Sequence, residues 1–182
     1  MALRLFRTTG YSTILMPGET RVRPHPARMV LWGTLWLALA CNVGVWRFLL
    51  QRTVDWRNTL ASVLLIGGAT CVFLSLLGWR RTLKPALTLA LIAGALCADG
   101  LWSQQLPIEA LWQAPMRNWL PGWATFLRLQ GLVLMVVLAL LPIVATWNAQ
   151  PRRLSGPLQL KSNVWGAVLG AVALAGGVAL AR

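Results

Sequence analysis

The sequence predicts an all-α integral membrane bundle of five transmembrane helices, with short interfacial helices between spans three and four. The 182 residues are 57% hydrophobic and 12% charged, with a mean hydropathy of +0.63, whereas soluble domains average about 45–50% apolar and about 25% charged residues. Five apolar segments each approach the roughly 20 residues that a bilayer core requires. Most of the eleven tryptophans lie near the ends of these segments, where an indole favours the head-group level.

The chain divides into an N-terminal arm, residues 1–28, and a five-span transmembrane domain, residues 29–182. The spans are expected at about residues 29–50, 60–78, 85–102, 123–147 and 164–180. The arm contains five arginines and three prolines and has no continuous apolar core, so it is not typical of a secretory signal.

The distribution of basic residues predicts an orientation. Of the 17 Lys and Arg residues, eleven lie in the arm, the link after span two (WRRTLK) and the link after span four (NAQPRRLSGPLQLKSN); six lie at the other ends of the spans. Because cytoplasmic loops are enriched in Lys and Arg, we expect a cytoplasmic N-terminus and an external C-terminus. The net charge of +13 also fits a nucleic-acid partner, but such proteins carry their basic patch on a polar, soluble fold, so no nucleic-acid partner is expected.

Neither a metal site nor a complete catalytic site is predicted from the sequence. Cys41, Cys71 and Cys97 each fall inside an apolar run, no pair has CxxC spacing, and His25 is the only histidine. These thiols are expected to be small buried hydrophobic side chains. Four acidic residues and no glycine-rich phosphate loop leave no plausible set of catalytic residues or zinc ligands.

The longest external link, residues 103–122, reads SQQLPIEALWQAPMRNWLPG. Ile108, Leu111 and Trp112 share one helical face, a spacing typical of a short amphipathic helix in the plane of the interface. Such a hairpin either shapes the mouth of a lipid-access groove or is an ordinary interfacial connector. In the first case, Glu109 and Arg117 are the charges that would meet a zwitterionic or phosphate head group.

Three polar residues lie within or near apolar spans. Asp99 is a candidate site residue because carboxylates are costly in hydrocarbon, although its closeness to Trp102 favours a position at the interface. Asn42 falls in the middle of span one and requires a hydrogen-bond partner there. Arg47 is expected to extend its guanidinium outward to the interface.

Small and aromatic residues predict helix packing. Gly166 and Gly170 form a small-xxx-small pattern that lets span five approach a neighbouring helix closely, either within this chain or in a partner membrane protein. Trp32 and Trp36 lie four residues apart on one face of span one and are expected to pack.

Three segments follow one another in a pattern that resembles a known family: CNVGVWRFLL, FLSLLGWRRTLKPALTLALIAGAL and VVLALLPIVATW. Together they resemble the N-terminal transmembrane domain of lipid A phosphoethanolamine transferases, a sulfatase-like family, over roughly residues 29–182. The most specific marks are the Lys84-Pro85 opening of span three and the Leu141-Pro142 pair in span four.

The resemblance implies a bacterial inner-membrane domain whose C-terminus lies in the periplasm. In the family, a periplasmic domain follows span five, carries the threonine nucleophile and the zinc ligands, and moves phosphoethanolamine from phosphatidylethanolamine to lipid A. That domain is absent from this chain, so zinc is expected only there. The chain is then a membrane-anchoring and lipid-substrate-access domain, inactive alone. The alternative is a stand-alone inner-membrane scaffold or accessory subunit that packs through span five; a small transporter has less support.

The head-group motif of the family is not matched. The family carries an Asn, a Thr and a Glu at four-residue intervals in the link between spans three and four, and the nearest placement here is Ala110, Ala114 and Asn118. The polar head-group candidates in this link are therefore Glu109, Gln113, Arg117 and Asn118.

Overall fold

The computed structural model describes residues 24–51, 55–79, 81–107, 110–113, 115, 120, 122, 127–149, 151 and 154–181. Within these residues the fold is the predicted all-α bundle, without strands. Four helices are long and apolar enough to cross a membrane, and a bent helix pair, Pro26–Ala40 with Val43–Leu50, passes the same test when it is counted as one span. The chain is therefore a multi-pass membrane protein.

The spans begin and end close to the apolar segments. Span one comprises α1 (Pro26–Leu35), a π-helical continuation (Trp36–Ala40) and α2 (Val43–Gln51), whereas span two is α3 (Trp56–Leu76) and span three is α4 (Leu83–Ser103). A short helix, α5 (Ala110–Gln113), lies in the following link. Span four comprises α6 (Leu129–Met135), a second π-helical segment (Val136–Leu140) and α7 (Leu141–Asn148), and span five is α8 (Gly156–Ala181).

Span one begins at a proline and is broken at an asparagine. Pro26 occupies the first helical position, and His25 Nδ1 accepts a hydrogen bond from the Ala27 N–H at 3.2 Å, so the start of the span has both a favourable φ and a cap. After Cys41 the axis bends by 49°. Asn42 is fully buried and restarts the helix, because its side-chain oxygen accepts the Gly44 N–H at 2.9 Å.

The partner that the sequence requires for Asn42 is present in span two. Asn42 Nδ2 donates to Ser62 Oγ at 3.1 Å, and Ser62 Oγ donates to the Thr59 carbonyl at 2.8 Å. Both side chains are buried. This chain of hydrogen bonds fixes the break of span one against span two, because no water is present at this depth to satisfy the amide instead.

Proline also shapes span four. Pro142 has no N–H to donate to the Leu138 carbonyl four residues earlier, and the segment Val136–Leu140, which ends two residues before it, is π-helical. The Leu138 carbonyl instead accepts the indole N–H of Trp36 at 3.0 Å. Since Trp36 begins the π-helical segment of span one, the two irregular segments are joined to each other across the bundle.

Polar side chains from other spans satisfy the C-terminal carbonyls of four spans. The last carbonyls of a helix have no intrahelical donor, and in lipid no water replaces it. The pairs are Gln159 to Gly78 O (2.7 Å) just beyond span two, Arg47 to Leu101 O (3.1 Å) in the last turn of span three and to Leu106 O (2.7 Å) just beyond it, Lys84 to Trp147 O (3.0 Å) in span four and Arg57 to Leu180 O (3.0 Å) in span five.

Three expectations about individual residues require comment. Arg47 does not extend outward: it is 9% exposed because its guanidinium binds the end of span three. Trp32 does not pack either, since it is 71% exposed, whereas Trp36 is partly buried against the core. Cys41 is buried as expected, and the other two thiols are half-buried.

Candidate lipid head-group site

A buried carboxylate marks the most unusual position in the bundle. Asp99, in the last turn and a half of span three, is 3% exposed. None of the described residues donates a hydrogen bond to its Oδ2, which is inaccessible to solvent. A buried acceptor without a donor carries a large desolvation penalty. The sequence, because Asp99 is close to Trp102, favoured a hydrated carboxylate at the membrane interface, and the buried position of Asp99 differs from that expectation.

Asp99 lines a small polar pocket between the end of span three and the beginning of span four. The pocket has a volume of about 150 Å³, and the other lining residues are Trp102, Ser103, Gln105, Arg128, Gln130 and Gly131. Pockets for whole drug-sized molecules are about 300–1,000 Å³. The pocket therefore fits one small polar group.

The beginning of span four supplies positive potential to the pocket. Arg128 lines the pocket and occupies the N-cap position of α6, without a side-chain hydrogen bond to the helix. The Leu132 N–H bonds to the Arg128 carbonyl at 3.0 Å, so the preceding N–H groups of the first turn have no acceptor within the helix. A guanidinium and a helix N-terminus together favour an anion.

The wall on the span-three side is held by the chain reversal after Ser103. Gln105 has a φ of 56°, a left-handed conformation that is uncommon for residues other than Gly, Asn and Asp. The Arg47 guanidinium, by binding both Leu101 O and Leu106 O, fixes the backbone on both sides of this reversal. The last turn of span three thus cannot unwind without breaking charge-assisted hydrogen bonds.

The pocket presents a negatively charged hydrogen-bond acceptor and a positively charged hydrogen-bond donor to the same small ligand. Asp99 is suited to a cation with N–H donors, because it is a carboxylate that lines the pocket. Arg128 and the first turn of span four are suited to phosphate or carboxylate. The combination fits a zwitterion such as an aminoalkyl phosphate.

The predicted head-group residues lie mostly outside the described part of the chain. Glu109, Arg117 and Asn118 belong to residues that the structure does not describe. Gln113 ends α5, and its side chain is exposed.

The predicted packing glycines face span two. A Cβ placed on Gly166 would collide with the Ser75 hydroxyl, and one on Gly170 would lie 2.9 Å from both the Val72 N and its Cγ2. The small-residue face of span five is thus occupied within this chain. A partner protein would need a different surface of span five.

Arg128 was not singled out from the sequence as a site residue. There was little reason in the sequence to select it, because a single arginine at the beginning of a span usually serves to set the orientation of that span in the membrane. The pairing with Asp99 depends on two residues 29 positions apart being brought together by the reversal between spans three and four. Asp99, by contrast, was detectable as a carboxylate in an apolar span.

No metal site is formed by the part of the chain that the structure describes, where no three His, Cys, Asp or Glu residues are grouped closely enough to bind an ion. Among the described residues that line the pocket, Asp99 is the one carboxylate, and a single carboxylate does not fit zinc, which is bound by three or four protein ligands.

Comparison of the chain with protein-family models, with curated proteins and with solved structures finds no match.

Proposed function

We propose that this chain is the membrane-anchoring and lipid-substrate-access domain of a phosphoethanolamine transferase that acts on lipid A. In this proposal it resides in the bacterial inner membrane with a cytoplasmic N-terminus and a periplasmic C-terminus. The observation that carries the proposal is the pocket lined by Asp99 and Arg128, since its charges complement a phosphoethanolamine head group. The ammonium would bind the Asp99 carboxylate, and the phosphate would bind the guanidinium and the first turn of span four.

The pocket lies at the membrane end where a periplasmic domain would need it. Arg57, at the start of span two, binds Leu180 O at the end of span five. Arg47, at the end of span one, binds the end of span three beside the pocket. Span one ends at Gln51 and span two begins at Trp56, so these two helix ends lie on the same side of the bundle. The end of span five and the pocket are therefore on that side too, and a domain attached after Arg182 would face the bound head group.

Contacts between the residues that mark the family resemblance also support the proposal. Lys84 Nζ donates to Trp147 O at 3.0 Å and lies 5.6 Å from the centroid of the Trp147 ring. The Trp147 indole donates to Thr88 Oγ1 at 3.0 Å. Pro142, in turn, leaves the Leu138 carbonyl to Trp36. Lys84 and Pro142, two of the residues on which the family resemblance rests, thus take part in joining spans one, three and four.

The test is a fusion of the full chain, after Arg182, to the periplasmic catalytic domain of a lipid A phosphoethanolamine transferase. Expressed in bacteria, this fusion should add phosphoethanolamine to lipid A, measured as a mass shift by mass spectrometry. Asp99→Asn in the same fusion should lower the modified fraction about tenfold or more, because loss of a charged hydrogen-bond partner costs about 1.5–3 kcal/mol.

Asp55→Asn is the matched control, because Asp55 is exposed at the beginning of span two and does not line the pocket. It should leave the modified fraction unchanged. An unmodified lipid A from a fusion that reaches the membrane intact would contradict the transferase assignment. Equal activity of the Asp99→Asn and Asp55→Asn fusions would remove the pocket from the proposal.

A further inference from the structure

A second cavity lies at the opposite end of the bundle and is not used by the proposed function. It is a groove of about 570 Å³ between the first half of span one, the first half of span three and the last half of span four. Most lining side chains are apolar, including Met29, Leu87, Leu91 and Leu141. Trp32 lines the groove while exposing 71% of its surface, so the groove is open along the side of the bundle that faces lipid.

The end of the groove beside the first turn of span one is basic. Arg28 lines this end, and its side chain is exposed. Lys84 lies one helical turn before the lining residue Leu87, and its ammonium contacts Trp147, next to the lining residue Thr146. Arg28 thus lines the groove and Lys84 lies beside it, and none of the described lining residues is acidic.

The other end of the groove is closed at mid-membrane depth by the tryptophan bridge between spans one and four. Trp36, whose indole binds Leu138 O, is the deepest lining residue of span one. From Arg28 to Trp36 the helix rises roughly 12 Å, at about 1.5 Å per residue. One leaflet of hydrocarbon is about 15 Å deep, half of a core of about 30 Å. The groove therefore matches a single leaflet in depth.

We propose that this groove binds an anionic glycerophospholipid from the leaflet that holds the beginning of span one. One acyl chain would lie along Trp32 and Leu91, with its terminal part against the Trp36 indole. The head-group phosphate would lie between Arg28 and Lys84. The inference does not depend on the transferase assignment, because the groove and the Asp99 pocket are at opposite ends of the bundle.

Charge and depth favour this lipid over other occupants. An apolar helix from a second protein would need no cation at the rim, and a groove that ends at mid-membrane would not accommodate a full span. A zwitterionic lipid would fill the acyl groove but would gain less from two cations, since each basic residue near an anionic surface contributes roughly a fivefold increase in affinity. The remaining competitor is this chain's own N-terminal arm.

The experiment is native mass spectrometry of the full chain released from nanodiscs that contain equal amounts of phosphatidylethanolamine and phosphatidylglycerol. One phosphatidylglycerol should be retained per chain, in preference to phosphatidylethanolamine. Arg28→Gln should weaken retention about fivefold, and Arg28→Gln combined with Lys84→Gln roughly 30-fold. Arg81→Gln is the charge control: Arg81 is exposed near the same membrane surface but does not line the groove, and its change should have no effect.

A steric variant tests the acyl portion without altering charge. Ala145 lines the groove, whereas its neighbour Val144 is 50% exposed and does not. Ala145→Phe should abolish retention, and Val144→Phe should preserve it. Equal retention in both variants, equal loss in Arg28→Gln and Arg81→Gln, or no preference between the two lipids would each overturn the proposal. A chain that retains phosphatidylglycerol only after deletion of residues 1–23 would overturn it as well, because the arm would then be the native occupant.

Discussion

Spans two and five associate in a different way from spans one, three and four. Spans two and five run side by side as uninterrupted helices, with four glycines at their contact: Gly68, Gly166, Gly170 and Gly177. Span one contains a helix break and a π-helical segment, span four contains a second π-helical segment and a proline inside the helix, and span three packs against both. The first pair leaves no cavity among those described, whereas both the pocket and the groove involve the second group.

The difference follows from how helices associate in lipid. Apolar side chains gain little by leaving lipid for another helix, so close backbone approach or polar contact must supply the association free energy. In the glycine pair, a Cβ on Gly68 would lie 2.6 Å from Leu174 N, which shows that the two backbones touch. In the other group, indole and ammonium donors at the ends of long side chains bind carbonyls of a neighbouring helix. Such contacts do not require the two backbones to touch, which leaves room for ligands between the helices.

Gly170→Leu should lower the free energy of unfolding more than the other variants, because it would disrupt the glycine-lined contact between spans two and five. A leucine side chain has no room beside Val72 N and Cγ2, each 2.9 Å from the site of its Cβ, and we expect a loss of about 3 kcal/mol or more in the free energy of unfolding. Reversible unfolding by SDS in mixed micelles, followed by circular dichroism, measures it.

The matched control is Gly176→Leu in the same helix. A Cβ on Gly176 would meet only Leu64 Cδ1, at 3.9 Å, which is an ordinary contact. This variant should be neutral or slightly stabilising, because leucine has a higher helix propensity than glycine. Equal destabilisation by the two variants would show that span five tolerates no added bulk and that close approach at Gly170 is not the cause.

Arg47→Gln should have the next largest effect and would weaken the second group of spans at the pocket. Two carbonyls, Leu101 O and Leu106 O, would lose a charged donor, and we expect about 2 kcal/mol of destabilisation. The same unfolding experiment measures it, with the exposed Arg81→Gln as the control, for which a change below about 0.5 kcal/mol is expected. A neutral Arg47→Gln would mean that glutamine or lipid head groups replace both hydrogen bonds.

Trp36→Phe should have the smallest effect, about 0.6–1 kcal/mol, since it removes one interhelical hydrogen bond in lipid and keeps most of the ring. A double-mutant cycle with Pro142→Ala sharpens the interpretation. Alanine at position 142 restores an N–H that can donate to Leu138 O, so Trp36→Phe should cost less in that background. Additive effects would show that the proline does not reserve this carbonyl for the indole.

Helix locations could be predicted from the sequence to within about four residues for spans one, two and three, but not for the beginnings of spans four and five. Span four was expected from residue 123, and its helix begins at Leu129. The apolar segment 60–78 became Trp56–Leu76, and 85–102 became Leu83–Ser103. Span five was expected from residue 164 but begins at Gly156, because the polar residues at its start resemble a loop. One of them, Gln159, is buried by its hydrogen bonds to Gly78 O and Asn163 Oδ1, and hydropathy does not detect a partner in another span.

The site was predictable only in part. Asp99 and Asn42 could be selected from the sequence as candidate functional or structural residues, because a polar side chain within an apolar span is energetically costly. The position of the bend in span one was not evident, since it depends on two hydrogen bonds of one side chain: Asn42 Oδ1 accepts the Gly44 N–H, and Asn42 Nδ2 donates to Ser62 Oγ. The basic residues that bind helix ends were interpreted as topology signals, because charge alone does not reveal which carbonyl a long side chain reaches.

The sequence by itself determined that the chain is an all-α membrane protein and where its spans lie, because apolar length and composition decide partition into lipid residue by residue. Tertiary structure alone decided which helix ends receive a donor, that Asp99 and Arg128 share a pocket, and that Pro142 leaves a carbonyl to an indole from span one. Those features depend on distances between residues far apart in the chain. Local hydropathy carries no information about such distances, whereas helix packing fixes them.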